Sequence, residues 1–393
     1  MTGLALPAAR EARTAARPVT RRLVAIVDKA FPPDHSFVSG MLADALPRAA
    51  GVRVTLVCER GAASRTVARV GRARCVAALA PRRGAGRLRG ALQLVRLLRR
   101  LGPCDAVLVR NDPLRLAVAA LCRPRGARLV FQSSFPHIEA LPGSLRAIGA
   151  SLLWRFAGPA VDAVLAVSPD GLARLSRRMP RARGGWIPLL VEPWLFDVPR
   201  RPAGDDGPLQ LLYVGSHDAD RSLDAVLTAI AAAADARPGR LRATFVGGTA
   251  ATHAPLLRTA AIAAAVRDGT ITLHAAVPRR ALSAHFAAAH VGLSLIPPRP
   301  RFLEASPTKL GEYAAAGLTV LVSTGIRWQD TLAAALPDAY ATSFDVGTMT
   351  DAIVRLVDTP RDALRAGGAA NRTYARQHLT YTGAVEELCR LLW

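Results

Sequence analysis

Short apolar runs alternate along the chain with polar turns and amphipathic stretches, the pattern of buried parallel strands joined by helices. In the first half the runs at residues 23–27, 52–58, 106–109, 129–131 and 163–167 predict strands. In the second half 209–214, 244–248, 271–274, 291–297 and 318–322 do the same. Helical periodicity predicts helices over 37–49, 86–101 and 221–233, and further helices through the tail from residue 349. Between the two series, residues 200–208 are rich in Pro, Gly and charge, which marks a boundary, and a strand restarts directly after it. The expected fold class is therefore α/β, with two Rossmann-like domains and no other internal repeat. The expected organisation is a basic leader over 1–20, a first domain over 21–199, a linker over 200–208, a second domain over 209–375 and a terminal helix over 376–393.

Composition adds a partner class. With 393 residues, 51% hydrophobic and 21% charged, the chain can bury two cores of ordinary size. Its formal net charge of +23 calls for an anionic partner: a membrane surface, a charged substrate or nucleic acid. Nucleic acid is disfavoured, because the arginines are spread along the chain with no zinc-finger spacing or RNA-binding aromatic motif beside them. Five scattered cysteines without metal-ligand spacing fit a reducing, cytoplasmic setting. The first twenty residues lack a continuous apolar stretch, so they read as a disordered basic leader rather than a secretory signal, with a transit peptide as the alternative. The longest apolar stretch, 148–167, is broken by Arg155 and Asp162, so no uninterrupted apolar run reaches the ~20 residues a membrane span requires. Residues 86–101 set leucines against Arg87, Arg89, Arg96, Arg99 and Arg100, either a solvated surface helix or a contact for anionic lipid headgroups.

The most informative stretch is 302–320, in which a polar turn leads to a short helix, a glycine and an apolar strand. Ser306 reads as a cap, Pro307 as a first-turn residue and Gly317 as the left-handed stop. A helix N-terminus at Thr308 offers free amides to an anion, and Lys309 adds a full charge there. Lysine occurs elsewhere only at Lys29, so a lysine here points to a site that needs a compact ammonium. Seven residues separate Glu304 from Glu312. This run, with Ser306, Pro307, Lys309, Tyr313, Ala315, Gly317 and Val320 in order, resembles the E-x7-E signature of retaining glycosyltransferases of family 4 with the GT-B fold, with Thr319 standing where that family has Pro.

The resemblance is strongest over 302–322 and weakest over the first 200 residues. It implies two Rossmann-like domains facing each other across a cleft, with the terminal helix crossing back to the first and Trp393 in a packing role. The donor is then a nucleoside-diphosphate sugar as co-substrate, with no further cofactor. Lys309 and Arg221 are expected on the diphosphate, with amides near Pro307 and Thr308 and the loop at Gly215 and Ser216 completing that field. Glu312 is expected on the ribose and Glu304 on the donor sugar. His137, in the polar loop after the strand at 129–131, is a candidate to approach the sugar or a loop histidine with no task, and backbone near Val277 is expected against the nucleobase. The literal D-x-D of Asp218 and Asp220 is read as loop and helix cap rather than as a metal site. The first loop, with Phe31, Pro32, Pro33, Asp34 and His35, lacks the family's Gly-Gly pair, and Leu189, Leu190 and Glu192 replace the Asn, Gly and Asp of its usual linker. The expected acceptor is a glycolipid, growing polysaccharide or other glycoconjugate, with a peripheral membrane association as the further expectation. A non-catalytic partner subunit and a nucleotide-sugar epimerase are the alternatives. A dehydrogenase is disfavoured because neither half shows G-x-G-x-x-G after its first strand.

Overall fold

The computed structural model describes residues 20–61, 67–81, 86–134, 145–199 and 207–393. Most of the expected leader and linker, together with His137, lies outside the described residues. Two compact units emerge. The first comprises Met1–Glu192, Glu304–Ser306 and Tyr381–Trp393, and the second Pro193–Leu303 and Pro307–Thr380.

Among its described residues the first unit carries eight strands: β1 (Arg22–Ala30), β2 (Arg53–Glu59), β3 (Val67–Val70), β4 (Ala73–Leu79), β5 (Ala106–Arg110), β6 (Arg128–Ser133), β7 (Ala163–Ala166) and β8 (Arg183–Trp186). They lie in the order β3-β4-β2-β1-β5-β6-β7-β8. The central strands are parallel and apolar on both faces, with Ile26, Val57, Val109 and Phe131 in one core cluster. Only β3, joined to β4 through Gly71 at φ 55°, runs antiparallel among these pairs. This hairpin went unanticipated, although Ala73, Cys75, Ala77 and Leu79 are buried in the alternation of a one-sided strand. The helix expected over 37–49 forms as a wide π-helical segment, Phe37–Ala45, continued by Leu46–Ala50 and stopped at Gly51 in the left-handed region. Helix Gly86–Arg100 buries Leu94 and Leu98 and leaves its arginines in solvent. At the other end of the chain, helix Val385–Leu392 buries Leu388, Leu391 and Leu392, and Arg390 donates to the Gly184 carbonyl at 2.9 Å. Arg21 stacks on the Trp393 ring at 4.7 Å.

The second unit has one parallel sheet of β9 (Leu209–Val214), β10 (Leu241–Gly248), β11 (Ile271–Ala275), β12 (Val291–Ser294), β13 (Thr319–Ser323) and β14 (Ala339–Thr342), ordered β11-β10-β9-β12-β13-β14. Leu211, Phe245, Val291, Leu293 and Leu321 share its core with helices Leu223–Ala236 and Val346–Asp358. Because the strands are parallel, the loops after β9, β10 and β12 all leave at one edge, the edge where such sheets present ligand-binding groups.

Candidate functional site

Helix Thr308–Ala316 begins one residue later than its sequence suggests. Pro307 is the cap residue and Ser306 does not cap, because its Oγ accepts the Leu189 amide at 3.0 Å instead. Gly317, at φ 84°, ends the helix as expected, and β13 follows. The first amides of the helix have no partner within it, so its N-terminus keeps its donor character. Thr308 and Pro307 are half-buried. The helix is anchored through Tyr313, whose hydroxyl accepts the Val214 amide at 2.8 Å, and whose ring lies where a side chain at Gly292 would be. This contact registers the Lys309 turn against the end of β9.

Lys309 is 8% exposed, and its Nζ has no hydrogen-bond partner among the described residues. It stands 3.6 Å over the Tyr213 ring, and a Cβ on Gly215 would fall within 2.6 Å of it. Gly215, at φ 151°, is thus the one residue type that leaves room for the ammonium. Burial, with Arg221 adding to it, holds the Lys309 pKa well below the ordinary lysine range. Burial likewise raises that of the Tyr213 hydroxyl.

The loop after β9 carries Ser216, which is exposed, then His217 and the short turn Ala219–Arg221. Arg221 does not open the helix, as its sequence context suggested. Ser222 adopts φ 48°, a left-handed break, and the helix starts at Leu223. Arg221 stacks on Phe302 at 4.6 Å, and its Nε is buried without a hydrogen-bond partner among the described residues. Nor does Asp220 cap the helix. It lies 3.7 Å from Arg299, whose Nη2 donates to Ser222 Oγ at 2.7 Å. Among the described residues no group of three His, Cys, Asp or Glu side chains is arranged to hold a metal.

Glu312 is buried and its Oε1 accepts from Arg279 at 2.7 Å, an ion pair the sequence did not suggest. Val277 is half-buried in the segment between β11 and the turn Arg279–Ala281. The other end of the signature belongs to the first unit. There Glu304 pairs with Arg174 at 2.8 Å, and its carbonyl accepts from Ser168 Oγ at 2.8 Å. Ser168 also caps helix Pro169–Arg178 by accepting the Gly171 amide. So Glu304 and Ser306 are held by one unit, and Lys309 and Glu312 by the other.

The first unit has its own buried polar cluster at the edge where β1, β5 and β6 end. Arg110 pairs with Asp28, reaches His35 Nε2 at 2.8 Å and donates to Ser134 Oγ at 3.0 Å, while Asn111 donates to Asp28 at 3.1 Å. Next to it, Arg115 pairs with Glu59 at 2.8 Å. Neither pair was singled out from the sequence, since each joins residues far apart in the chain.

Residues 38–193 match the family model Glycosyltransferase Family 4. That match falls on the half in which the resemblance was weakest to read. No curated protein matches the sequence. Among solved structures, a sucrose-phosphate synthase from Thermosynechococcus elongatus is similar at TM-score 0.71 and 16% identity, over 94% of this chain and 98% of that one. A trehalose-6-phosphate protein from E. coli bound with UDP-2-fluoro glucose is similar at TM-score 0.71 and 15% identity, with coverage of 94% and 98%. An α,α-trehalose 6-phosphate synthase from Burkholderia multivorans gives 0.65 and 16%, over 95% and 96%. The fold shared with these chains is GT-B.

Proposed function

We propose that this chain, whose residues 38–193 match Glycosyltransferase Family 4 and whose fold is shared with GT-B structures, moves a sugar from a nucleoside-diphosphate sugar to an acceptor with retention at the anomeric carbon, using its own cations in place of a divalent metal. The observation that carries this reading is the shortage of acceptors around Gly215, where Lys309 Nζ and Arg221 Nε are buried without hydrogen-bond partners among the described residues. Each unmet buried donor costs roughly 1–3 kcal/mol, and more where it is charged. A pyrophosphate supplies the missing oxygens and the missing negative charge together.

Charge grows on that pyrophosphate as the glycosidic bond breaks, so cations held there favour the transition state over the ground state. The helix amides at Thr308 and the loop at Gly215 and Ser216 add to the same field. Arg279 fixes the Glu312 carboxylate in the orientation proposed to meet the ribose hydroxyls. Arg174 does the same for Glu304, proposed to hold the donor-sugar hydroxyls and to support the positive character of the anomeric carbon. The acceptor hydroxyl attacks on the face the phosphate leaves, and a leaving oxygen takes its proton, which accounts for retention without a glycosidase-like acid and nucleophile pair.

For the acceptor, we favour a lipid-linked or growing glycan at an anionic membrane surface reached from the cytoplasm. Helix Gly86–Arg100 supports it, because Leu88 and Leu92 are 68% and 63% exposed among exposed arginines. Among the described residues no helix is long and apolar enough to cross a membrane. A sugar phosphate, named in the titles of the similar structures, is the competing class. A thermal-shift screen of UDP, GDP, ADP and their sugars, followed by transfer assays on both acceptor classes, tests the reading. Stabilisation by one nucleotide family and an axial-to-axial or equatorial-to-equatorial product support it. Conversion of the donor with no acceptor present indicates an epimerase, and binding without turnover on any acceptor a partner subunit. Salt-insensitive absence of binding to anionic liposomes removes the membrane component alone.

A further inference from the structure

His217 is 4% exposed, yet only one of its ring nitrogens is matched. Nδ1 lies 3.0 Å from His253 Nε2, while His217 Nε2 is buried with no partner among the described residues. The ring sits 5.9 Å from that of Tyr213, the same ring over which Lys309 Nζ is held. Gly248 lies against both imidazoles, and a Cβ there would collide with each, so a glycine keeps the place open for the pair. Lys309 Nζ, Arg221 Nε and His217 Nε2 are each buried without a hydrogen-bond partner among the described residues, and Lys309 lies close enough to interact electrostatically with both Arg221 and His217.

We propose that His217, with its tautomer set by His253, is a third binding group for the donor pyrophosphate, donating Nε2–H to a phosphate oxygen beside Lys309 and Arg221. The inference rests on the donor-site reading above and adds to it a residue that no part of the signature contains. The tautomer follows from the neighbours. If His217 Nδ1 accepts from His253 Nε2–H, the remaining proton is on the unpartnered nitrogen, free to be donated to an anion. The imidazole is neutral in the empty site, because burial, then His253, then Lys309 push its pKa down to about 4, with Asp218 opposing. A neutral ring donates a hydrogen bond without adding a further charge to those of Lys309 and Arg221. An oxyanion seated there reverses the balance and eases protonation, so binding strengthens as the pH falls.

Isothermal titration of the full chain with inorganic pyrophosphate, alongside UDP, GDP and ADP, tests this. His217→Ala is expected to weaken pyrophosphate binding about tenfold or more, the worth of a hydrogen bond to a charged group. His217→Gln, whose amide can replace the donor, is expected within about threefold of the parent. The parent's gain in affinity below pH 6 is expected to vanish in His217→Gln, a readout that a purely packing role would leave unchanged. Unfolded variants are recognised by circular dichroism, and His217→Gln keeps the test alive if His217→Ala does not fold. If Lys309→Ala loses pyrophosphate while both His217 variants bind as the parent does, at every pH, the inference fails and the donor site stands. If the parent binds none of the four ligands, the donor-site reading fails and takes the inference with it.

Discussion

Arg110 and Lys309 are buried cations at the carboxyl edges of two different sheets, and the fold pairs the first with a carboxylate while setting the second over an aromatic ring. Arg110, 1% exposed, ends β5 paired with Asp28 and hydrogen-bonded to Ser134, within a cluster that extends through Asn111. Lys309, 8% exposed, is set over an aromatic ring with no carboxylate of its own, and the nearby Glu312 is taken up by Arg279. A cation matched from within is part of the architecture. One that the fold desolvates without matching lowers stability, and such a group is retained where an external anion completes it.

The sharpest way to break this contrast is to remove both charges. Lys309→Met is expected to cut kcat/KM more than 100-fold, as loss of a group that stabilises transition-state charge does, while the ligand-free melting temperature rises. Arg110→Met should behave inversely, losing roughly 3–5 kcal/mol in urea denaturation because Asp28 stays buried and unpaired. Equal destabilisation in the two variants would erase the distinction. Next in size, Glu304→Ala is expected to lose about 100-fold in transfer rate, of the order seen when one transition-state contact is deleted. Its melting temperature should hardly move, since the Glu304 side chain is 28% exposed and an open ion pair such as that with Arg174 contributes about 0–1 kcal/mol.

A smaller effect concerns pH. With the His217 pKa at about 4 in the fold against 6.5 unfolded, the unfolded chain binds the extra proton in that window. The neutral-state stability is therefore complete above pH 6.5 and is lost as the pH falls toward 4. Denaturation at pH 5 should yield roughly 2 kcal/mol less than at pH 7 from this residue, and His217→Gln should flatten that slope. The smallest expected effect is that of EDTA. Transfer rates should be unchanged by it, and loss of activity restored by manganese would show that the second unit's cations do not suffice.

What could be read from the chain itself was local. Helix, stop and strand over 302–322 were legible because a left-handed glycine and an apolar run act through adjacent residues, and Gly317 and β13 fall where those signals put them. Ser306 and Asp220 show the limit of the same reasoning. Both have the chemistry of caps, but a distant amide claims Ser306, and a left-handed Ser222 separates Asp220 from its helix. The match over 38–193 falls on the first unit, where the resemblance in the sequence was weakest. Tertiary structure alone decided which polar groups are satisfied. Tyr213 beneath Lys309, His253 against His217, Arg279 on Glu312 and Arg174 on Glu304 are meetings between separate elements. Local conformation depends on sequence neighbours, whereas desolvation and charge pairing depend on what the folded chain packs around a group, and the candidate chemistry of this protein lies in the second.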